Sequence, residues 1–493
     1  MKQLERDRAD LGHFGYAQEL FRNMGGFSNF AISFSIISIL TGAMTLFGYG
    51  LDMGGPLEMT LGWPLASLFT LAVAASMGEL CSAYPTAGAM YHWALALGGA
   101  GWGWLVAWLN ILGLIAEVAG ITYGCAQFIL PFLRIPSTTA NLLWMFGFIL
   151  LTQGLLNHYG VRIVAMFNDL SVTVHILGVL LVVAGLLIFA PKQPIGFLFQ
   201  ATTTSGIPFY WWAFILGLLQ AQWTYTGFDA SAHMAEETEN PRLHAPWGLV
   251  LSVGVSGIVG WILVVALTIA IGDIDGVLHA KDANGNPVPA VIAILQSGLG
   301  VRAGNAMAAL SSMAMWFCGL SCITSGSRAL YSLARDEGTP FSGALRWVSR
   351  RHGTPAVSIW LVVALSFIAM IWTGAVPIVT SLSVAALYLA YTIPIVLGYR
   401  ARARGPQWTS EAIWNLGRFG KPVNLIAIAY SVFICIVLIM PPNELAGKTL
   451  AGLLAALGVL YAAIARRKFQ APEWSRRSGS KPLKTAIASP HES

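Results

Sequence analysis

Twelve apolar runs divide the chain, each long enough to cross a bilayer as a helix: about 27–50, 63–84, 101–131, 140–157, 165–190, 207–236, 245–272, 304–333, 355–373, 376–398, 423–441 and 447–465. A hydrocarbon core asks for about 20 such residues in succession. Charged residues make up only 10% of the 493 positions, against about 25% in a soluble domain. That is too few to clothe a water-exposed surface of this size. Transmembrane strands would be about half as long and would alternate with a period of two, and no run does so. The pattern predicts an all-α polytopic membrane protein with 12 transmembrane helices. It excludes a soluble enzyme, a disulfide scaffold and a disordered chain.

The net charge of +6 does not read as a nucleic-acid surface, because Lys and Arg sit in short connections and at the chain ends. With both termini on one side, 23 of the 28 basic residues fall on that side and 5 on the other. The positive-inside rule makes the richer side cytoplasmic. The expectation is a multi-pass integral membrane protein with both termini cytoplasmic. A cytoplasmic leader over 1–26 and a cytoplasmic tail over 466–493 are both polar and expected to be mobile. The first run is too long for a signal-peptide core. All five cysteines lie inside apolar runs, so no disulfide framework is implied. Cys318 and Cys322 are four apart but have no His or carboxylate near them in sequence. No metal and no cofactor are expected. Tryptophans such as Trp211, Trp212 and Trp261 read as an interfacial belt.

Two runs are not plain Leu, Val, Ile and Ala. Span 1 reads Ser33-Phe34-Ser35-Ile36-Ile37-Ser38-Ile39-Leu40-Thr41-Gly42-Ala43-Met44-Thr45, and span 6 reads Gln220-Ala221-Gln222-Trp223-Thr224-Tyr225-Thr226-Gly227-Phe228-Asp229-Ala230-Ser231. Each carries a Thr-Gly pair near its middle. Glycine lowers the cost of leaving helical geometry. Backbone freed at mid-membrane must line a cavity or be buried in protein. Matched breaks in two halves of a chain point to a transporter's binding site. Here they open two five-span blocks, 27–190 and 207–398, with spans 11 and 12 in 423–465 left over. Five is odd, so the second block enters from the opposite side and the two form an inverted repeat. The competing reading is close helix packing at small residues.

Ionisable groups at membrane depth are costly and are functional candidates by default. Glu117 lies mid-span 3 with Gly120, Ile121 and Gly124 on its face. It would carry a proton, hold a substrate ammonium, or sit protonated against a neighbouring helix. His175 in span 5 would relay a proton or be a satisfied core donor. Asp229 is expected to cap the second half of span 6 together with Ser231. Glu236, Glu237 and Glu239 are expected to pair with loop arginines, the alternative being a role in gating. Glu79 and Asp169 fall at span ends, where solvation is cheap.

Span 6 and its exit, Tyr225-Thr226-Gly227-Phe228-Asp229-Ala230 through Ala235-Glu236-Glu237-Thr238-Glu239-Asn240-Pro241, closely resemble the signature of amino acid–polyamine–organocation (APC) permeases. The stretch Ser327-Arg328-Ala329-Leu330-Tyr331-Ser332-Leu333-Ala334-Arg335-Asp336-Glu337-Gly338-Thr339-Pro340 resembles the end of span 8 in that group. Met24-Gly25-Gly26-Phe27-Ser28-Asn29-Phe30 and the run from Ser35 to Gly42 are similar to the amino acid/choline transporter branch, which includes GABA and choline permeases. The resemblance covers about 14–465. It implies the leucine-transporter-type 5+5 fold plus two C-terminal helices, alternating access, and a place in the plasma (bacterial inner) membrane, where most bacterial relatives lie. It places substrate at Ser38, Thr41, Gly42 and Ala43 of span 1 and at Tyr225, Thr226, Gly227 and Phe228 of span 6. Proton-coupled relatives carry a lysine in span 5 where this chain has His175, and some carry an acid in span 3, which implies that His175 and Glu117 couple the proton. Leu40-Thr41-Gly42-Ala43-Met44 departs from the commoner glycine motif of amino acid permeases, which leaves room for amines.

The expected function is a secondary active transporter, a proton symporter for an amino acid or a related, GABA-like amine. Its partners would be that small molecule, a proton and the lipid bilayer. An amino acid/amine exchanger and a substrate-sensing transceptor with little flux are the alternatives. No nucleophile–base pair or metal cluster at membrane depth suggests an enzyme.

Overall fold

The computed structural model describes residues 2–15, 17–18, 22–159, 161–282, 284–405, 408–466 and 469. The C-terminal tail therefore lies almost wholly outside the described residues. Eleven helices are long and apolar enough to cross a membrane. The twelfth expected span, 207–236, is interrupted into Tyr210–Gly217, Leu219–Thr224 and Ala230–His233. None of these pieces alone reaches the length a bilayer asks for, so the described residues show eleven such helices where twelve spans are expected, the missing one being the span expected to break at Gly227.

Large apolar side chains face outward around the bundle, among them Trp144, Phe148, Leu180, Ile258, Ile368 and Trp372. A water-exposed surface would not carry such a belt, whereas lipid tails accept it. Spans 1, 3 and 10 are the centre: 83% of the most apolar stretch of each is buried, against 17% for Glu444–Ala463. Span 3 (Ala100–Phe132) packs on span 8 (Val301–Arg335) and on span 10 (Val376–Arg404), and span 7 (Pro241–Ile269) packs on span 2. Span 2 begins earlier than the hydropathy suggests. Its helix, Phe47–Ala83, runs on from span 1 and turns at Gly55, whose φ of 62° is non-helical. Pro56 follows, and a proline tolerates the first turn of a new helix.

Span 1 comprises Gly26–Ile37 and Ile39–Thr45. Its first half is stitched to the second half of span 6: Ser33 donates to the Phe228 carbonyl at 2.5 Å, and Asn29 donates to the Ser231 carbonyl at 2.9 Å. Its second half meets the first half of span 6 through Gln220, which donates to the Ala43 carbonyl at 3.0 Å. The two breaks therefore face each other at the centre of the bundle.

Both ends of the described chain lie on one face. Phe14 packs on Tyr84 and Phe469 packs on Tyr91. The leader is better fixed than its polarity suggests. Its helix Lys2–His13 buries Leu11, Asp7 accepts from the Asn240 amide at 3.0 Å, and Asp10 pairs with Arg242 at 3.0 Å.

Candidate functional site

Ser38 carries the break in span 1. Its φ of 35° and ψ of 82° are left-handed, while Thr41 and Gly42 sit inside the following helix. The break thus lies three residues before the Thr-Gly pair that marks it in the sequence. Gly42 is needed for a different reason. A Cβ there would come within 2.8 Å of the Thr224 backbone, so its absence lets span 1 touch span 6. In span 6 the glycine does open the chain: Gly227 has φ +71°, and a Cβ would lie 2.9 Å from Glu117 Oε1.

Of the eight residues expected to bind substrate, the structure brings Thr41 and Gly42 to a central cavity. Ile36, Ile37, Glu117, Ile121, Trp223, Thr224 and Cys318 complete its wall. Thr226 and Gly227 stand directly behind, against Glu117. Ser38 is one bond from Thr41. Ala43 faces Gln220 through its carbonyl. Tyr225 turns away: its hydroxyl bonds Ser67 at 2.6 Å and its ring lies 5.4 Å from that of Trp63. Phe228 packs on Tyr391 at 5.1 Å. Trp223 is the aromatic ring that lines the cavity instead, two residues before the expected Tyr225, and its indole nitrogen has no partner among the described residues. The cavity measures about 10 Å³, room for roughly one water and no more. The site is closed.

His175 is fully buried and joins span 5 to the break. Nδ1 lies 2.7 Å from the Ser171 carbonyl, which only accepts, so Nδ1 carries a hydrogen. Nε2 lies 2.7 Å from Ser38 Oγ. A neutral ring accepts there, and Ser38 in turn accepts from Thr41. A protonated ring donates to Ser38, and Ser38 donates to Thr41. The ring's charge thus sets the direction of the Ser38–Thr41 hydrogen bond.

Glu117 is equally buried. Thr226 Oγ1 lies 2.9 Å from its Oε1 and 2.5 Å from the Trp223 carbonyl. One hydroxyl hydrogen serves one of those acceptors. A proton on Glu117 would serve as the second. Oε2 has no partner among the described residues.

Asp229 does not cap a helix. It is itself helical in conformation and makes no side-chain cap bond. It accepts from the Tyr391 hydroxyl at 2.6 Å and lies 3.2 Å from His233 Nε2. Tyr391 also accepts from the Gly227 amide at 3.2 Å, which ties this cluster to the span 6 break. Glu236 and Glu237 pair with Arg335 at 3.2 Å and Arg328 at 3.4 Å, both on span 8 rather than on a loop. Glu79 is buried and paired with Arg402, so its span-end position does not leave it in water. Among the described residues no group of three or more His, Cys, Asp or Glu side chains could hold a metal ion.

A model of the amino acid permease family matches residues 24–464, nearly the whole described bundle. The chain belongs to the amino acid permease family. The permease is 33% identical over 470 residues to the amino-acid permease BAT1 of Arabidopsis thaliana, covering 89% of each chain. It is also 33% identical to the BAT1 homologue of Oryza sativa, over 88% of this chain and 87% of the other. The GABA-specific permease of Saccharomyces cerevisiae is 28% identical over 90% of this chain and 80% of its own. The permease is therefore an amino acid transporter of the APC superfamily, a class that moves its substrate and does not transform it.

Proposed function

We propose that this permease is a proton-coupled symporter that takes up an amino acid or a related amine by alternating access. The observation that carries the reading is the pair of titratable groups set against the two breaks. His175 bonds Ser38 on span 1, and Glu117 meets Thr226 on span 6. Substrate would sit between Ser38, Thr41, Gly42 and Ala43 on one side and Thr226 and Gly227 on the other. Tyr225 and Phe228 would hold the break from behind. Trp223, which lines the cavity, would offer its ring to an ammonium group.

The two broken helices open the two five-span repeats, 27–190 and 207–398. Their half-helices would move as units, with both termini in the cytoplasm. The relative's GABA specificity suggests a substrate whose amine and carboxylate are well separated, since Gly42 is closed by Thr224 and leaves little exposed backbone for an α-carboxylate. Protons bound at His175 and Glu117 would reorganise both breaks before the cavity empties.

The test is uptake into proteoliposomes of labelled GABA, α-amino acids, choline, ethanolamine and putrescine. Each is run with an inward proton gradient, an inward sodium gradient, and neither. Proton-driven accumulation of one compound supports symport. Exchange without accumulation would make the permease an antiporter.

A further inference from the structure

Glu58 is fully buried, and neither of its carboxyl oxygens has a hydrogen-bond partner among the described residues. It stands three residues after the turn at Gly55, where the Phe47–Ala83 helix starts back into the membrane. Residues 50, 54, 58 and 62 recur at intervals of four, and three of them are glycine. A Cβ at Gly50 would lie 2.9 Å from Glu58 Oε2, and one at Gly217 would lie 2.9 Å from its Cγ; Gly54 and Gly62 approach closer still. The recess is shaped to the Glu58 side chain, yet it offers no donor. A Leu or Met would fill it without burying a carboxyl, so packing alone does not account for the residue. A carboxylate without a partner is not tolerated at such depth, so Glu58 is neutral in this closed form.

The lid of the recess is the first half of the broken span 6. Its outer piece is the helix Tyr210–Gly217, which Gly217 ends, and Tyr210 at its start donates to the Gly54 carbonyl at 2.9 Å. This is the face opposite to the chain ends, where Asp52 accepts from the Thr204 amide at 3.0 Å. If the half-helix swings outward, water reaches Glu58 directly.

We propose that Glu58 is a proton-binding residue of the gate on the face opposite the termini: neutral while the Tyr210–Gly217 half-helix is shut, ionised when it opens. The proton then acts as a ligand of the shut state, and its concentration on that face sets how often the gate opens. The titratable groups facing Glu58 are Tyr49 from the preceding turns and Tyr210 from the lid, and Asp52 acts on Tyr49 in turn. The remaining neighbours, Met53, Met59, Leu218 and Gln220, carry no charge. The inference rests on the alternating-access reading but not on the identity of the substrate or on His175 and Glu117.

The experiment is maleimide labelling of Met53→Cys in the full-length chain in proteoliposomes. Met53 packs against Gly217 beneath the lid, and the five native cysteines are buried and give the background. Labelling is expressed as the ratio to the same chain carrying Glu58→Gln, which cancels the thiol's own dependence on pH. The ratio should rise with external pH by up to about tenfold per unit, the limit for one linked proton, and Glu58→Asp should keep a rise. A flat ratio overturns the proposal. Should Glu58→Gln fail to insert, infrared spectroscopy of the parent chain decides instead. A band from a protonated carboxyl lacking hydrogen bonds should vanish at alkaline pH and move in Glu58→Asp; its absence overturns the proposal. A panel compound that alters labelling in both chains while pH alters neither removes Glu58 and leaves alternating access standing. Labelling that no compound alters in either chain removes alternating access, and this inference with it.

Discussion

His175 Nε2 lies 2.7 Å from Ser38 Oγ, so the ring of span 5 holds the one left-handed residue of span 1. The bond links the break directly to a side chain that can take up a proton. His175→Ala removes a buried hydrogen bond, a loss of about 1–3 kcal/mol when the partner is left unsatisfied. It should also flatten the rise of uptake toward acid pH. Initial rates across a range of external pH check this, and a rise as steep as the parent's would move the coupling elsewhere.

Glu117→Gln keeps the shape beside Thr226 and supplies a permanent donor in place of a removable proton. Counterflow exchange should survive, and accumulation driven by a proton gradient should vanish. Both are read in one proteoliposome preparation. Undiminished accumulation would show that Glu117 does not carry the proton.

Gly227→Val should abolish uptake while the protein still inserts. Its φ of +71° disfavours any side chain, and the added Cβ meets Ile36 and Glu117. Backbone strain of this kind costs about 1–3 kcal/mol, enough to refold the break without unfolding the bundle. Uptake and the amount of membrane-inserted protein are measured together; normal uptake by inserted protein would remove the span 6 break from the site.

Arg402→Ala leaves Glu79 buried without its cation. Losing one member of a buried pair costs about 3–5 kcal/mol. The melting temperature in detergent should fall by many degrees, and Glu79→Gln added to it should restore much of the loss. A negligible change in Arg402→Ala would mean that the pair contributes nothing.

Asp336, just past the end of span 8, bonds Tyr91 at 2.8 Å and lies 3.3 Å from His92. Burial raises its affinity for a proton, but the His92 bond and charge, Arg335 and the Tyr91 bond outweigh it and hold the carboxyl below its usual range. A depressed native value stabilises the fold above the unfolded value, about 3.9, and that gain is lost as pH falls through the native value. Asp336→Asn should lower the melting temperature near neutral pH and reduce the further drop on acidification. Parallel melting curves of parent and variant against pH test the sign.

Hydropathy revealed the spans because membrane insertion depends on composition over a long window, and composition is what a sequence states outright. The span 6 break was equally readable, since Gly227 is the residue type that a positive φ selects. Span 1 was marked at Thr41-Gly42, but the turn falls on Ser38. Its side chain bonds Thr41 in the next turn and His175 of span 5, and nothing in the residue type announces the left-handed conformation. Gly42 instead serves a contact with Thr224 that lies 182 positions away in sequence. Distance also hid Tyr391, which lies 162 positions from Asp229 and meets it only once span 10 is in place, whereas His233 is four positions on along the same chain segment. Glu58 passed unnoticed because its recess needs Gly217 of another span to close it.

Substrate-driven proton movement is the most direct test of coupling. Proteoliposomes containing a pH-sensitive dye and no imposed gradient are given the substrate that the uptake panel identifies. Acidification of the lumen on substrate addition, absent in Glu117→Gln, is the predicted result. Substrate entry with no change in luminal pH would contradict proton symport and leave an exchanger or a uniporter.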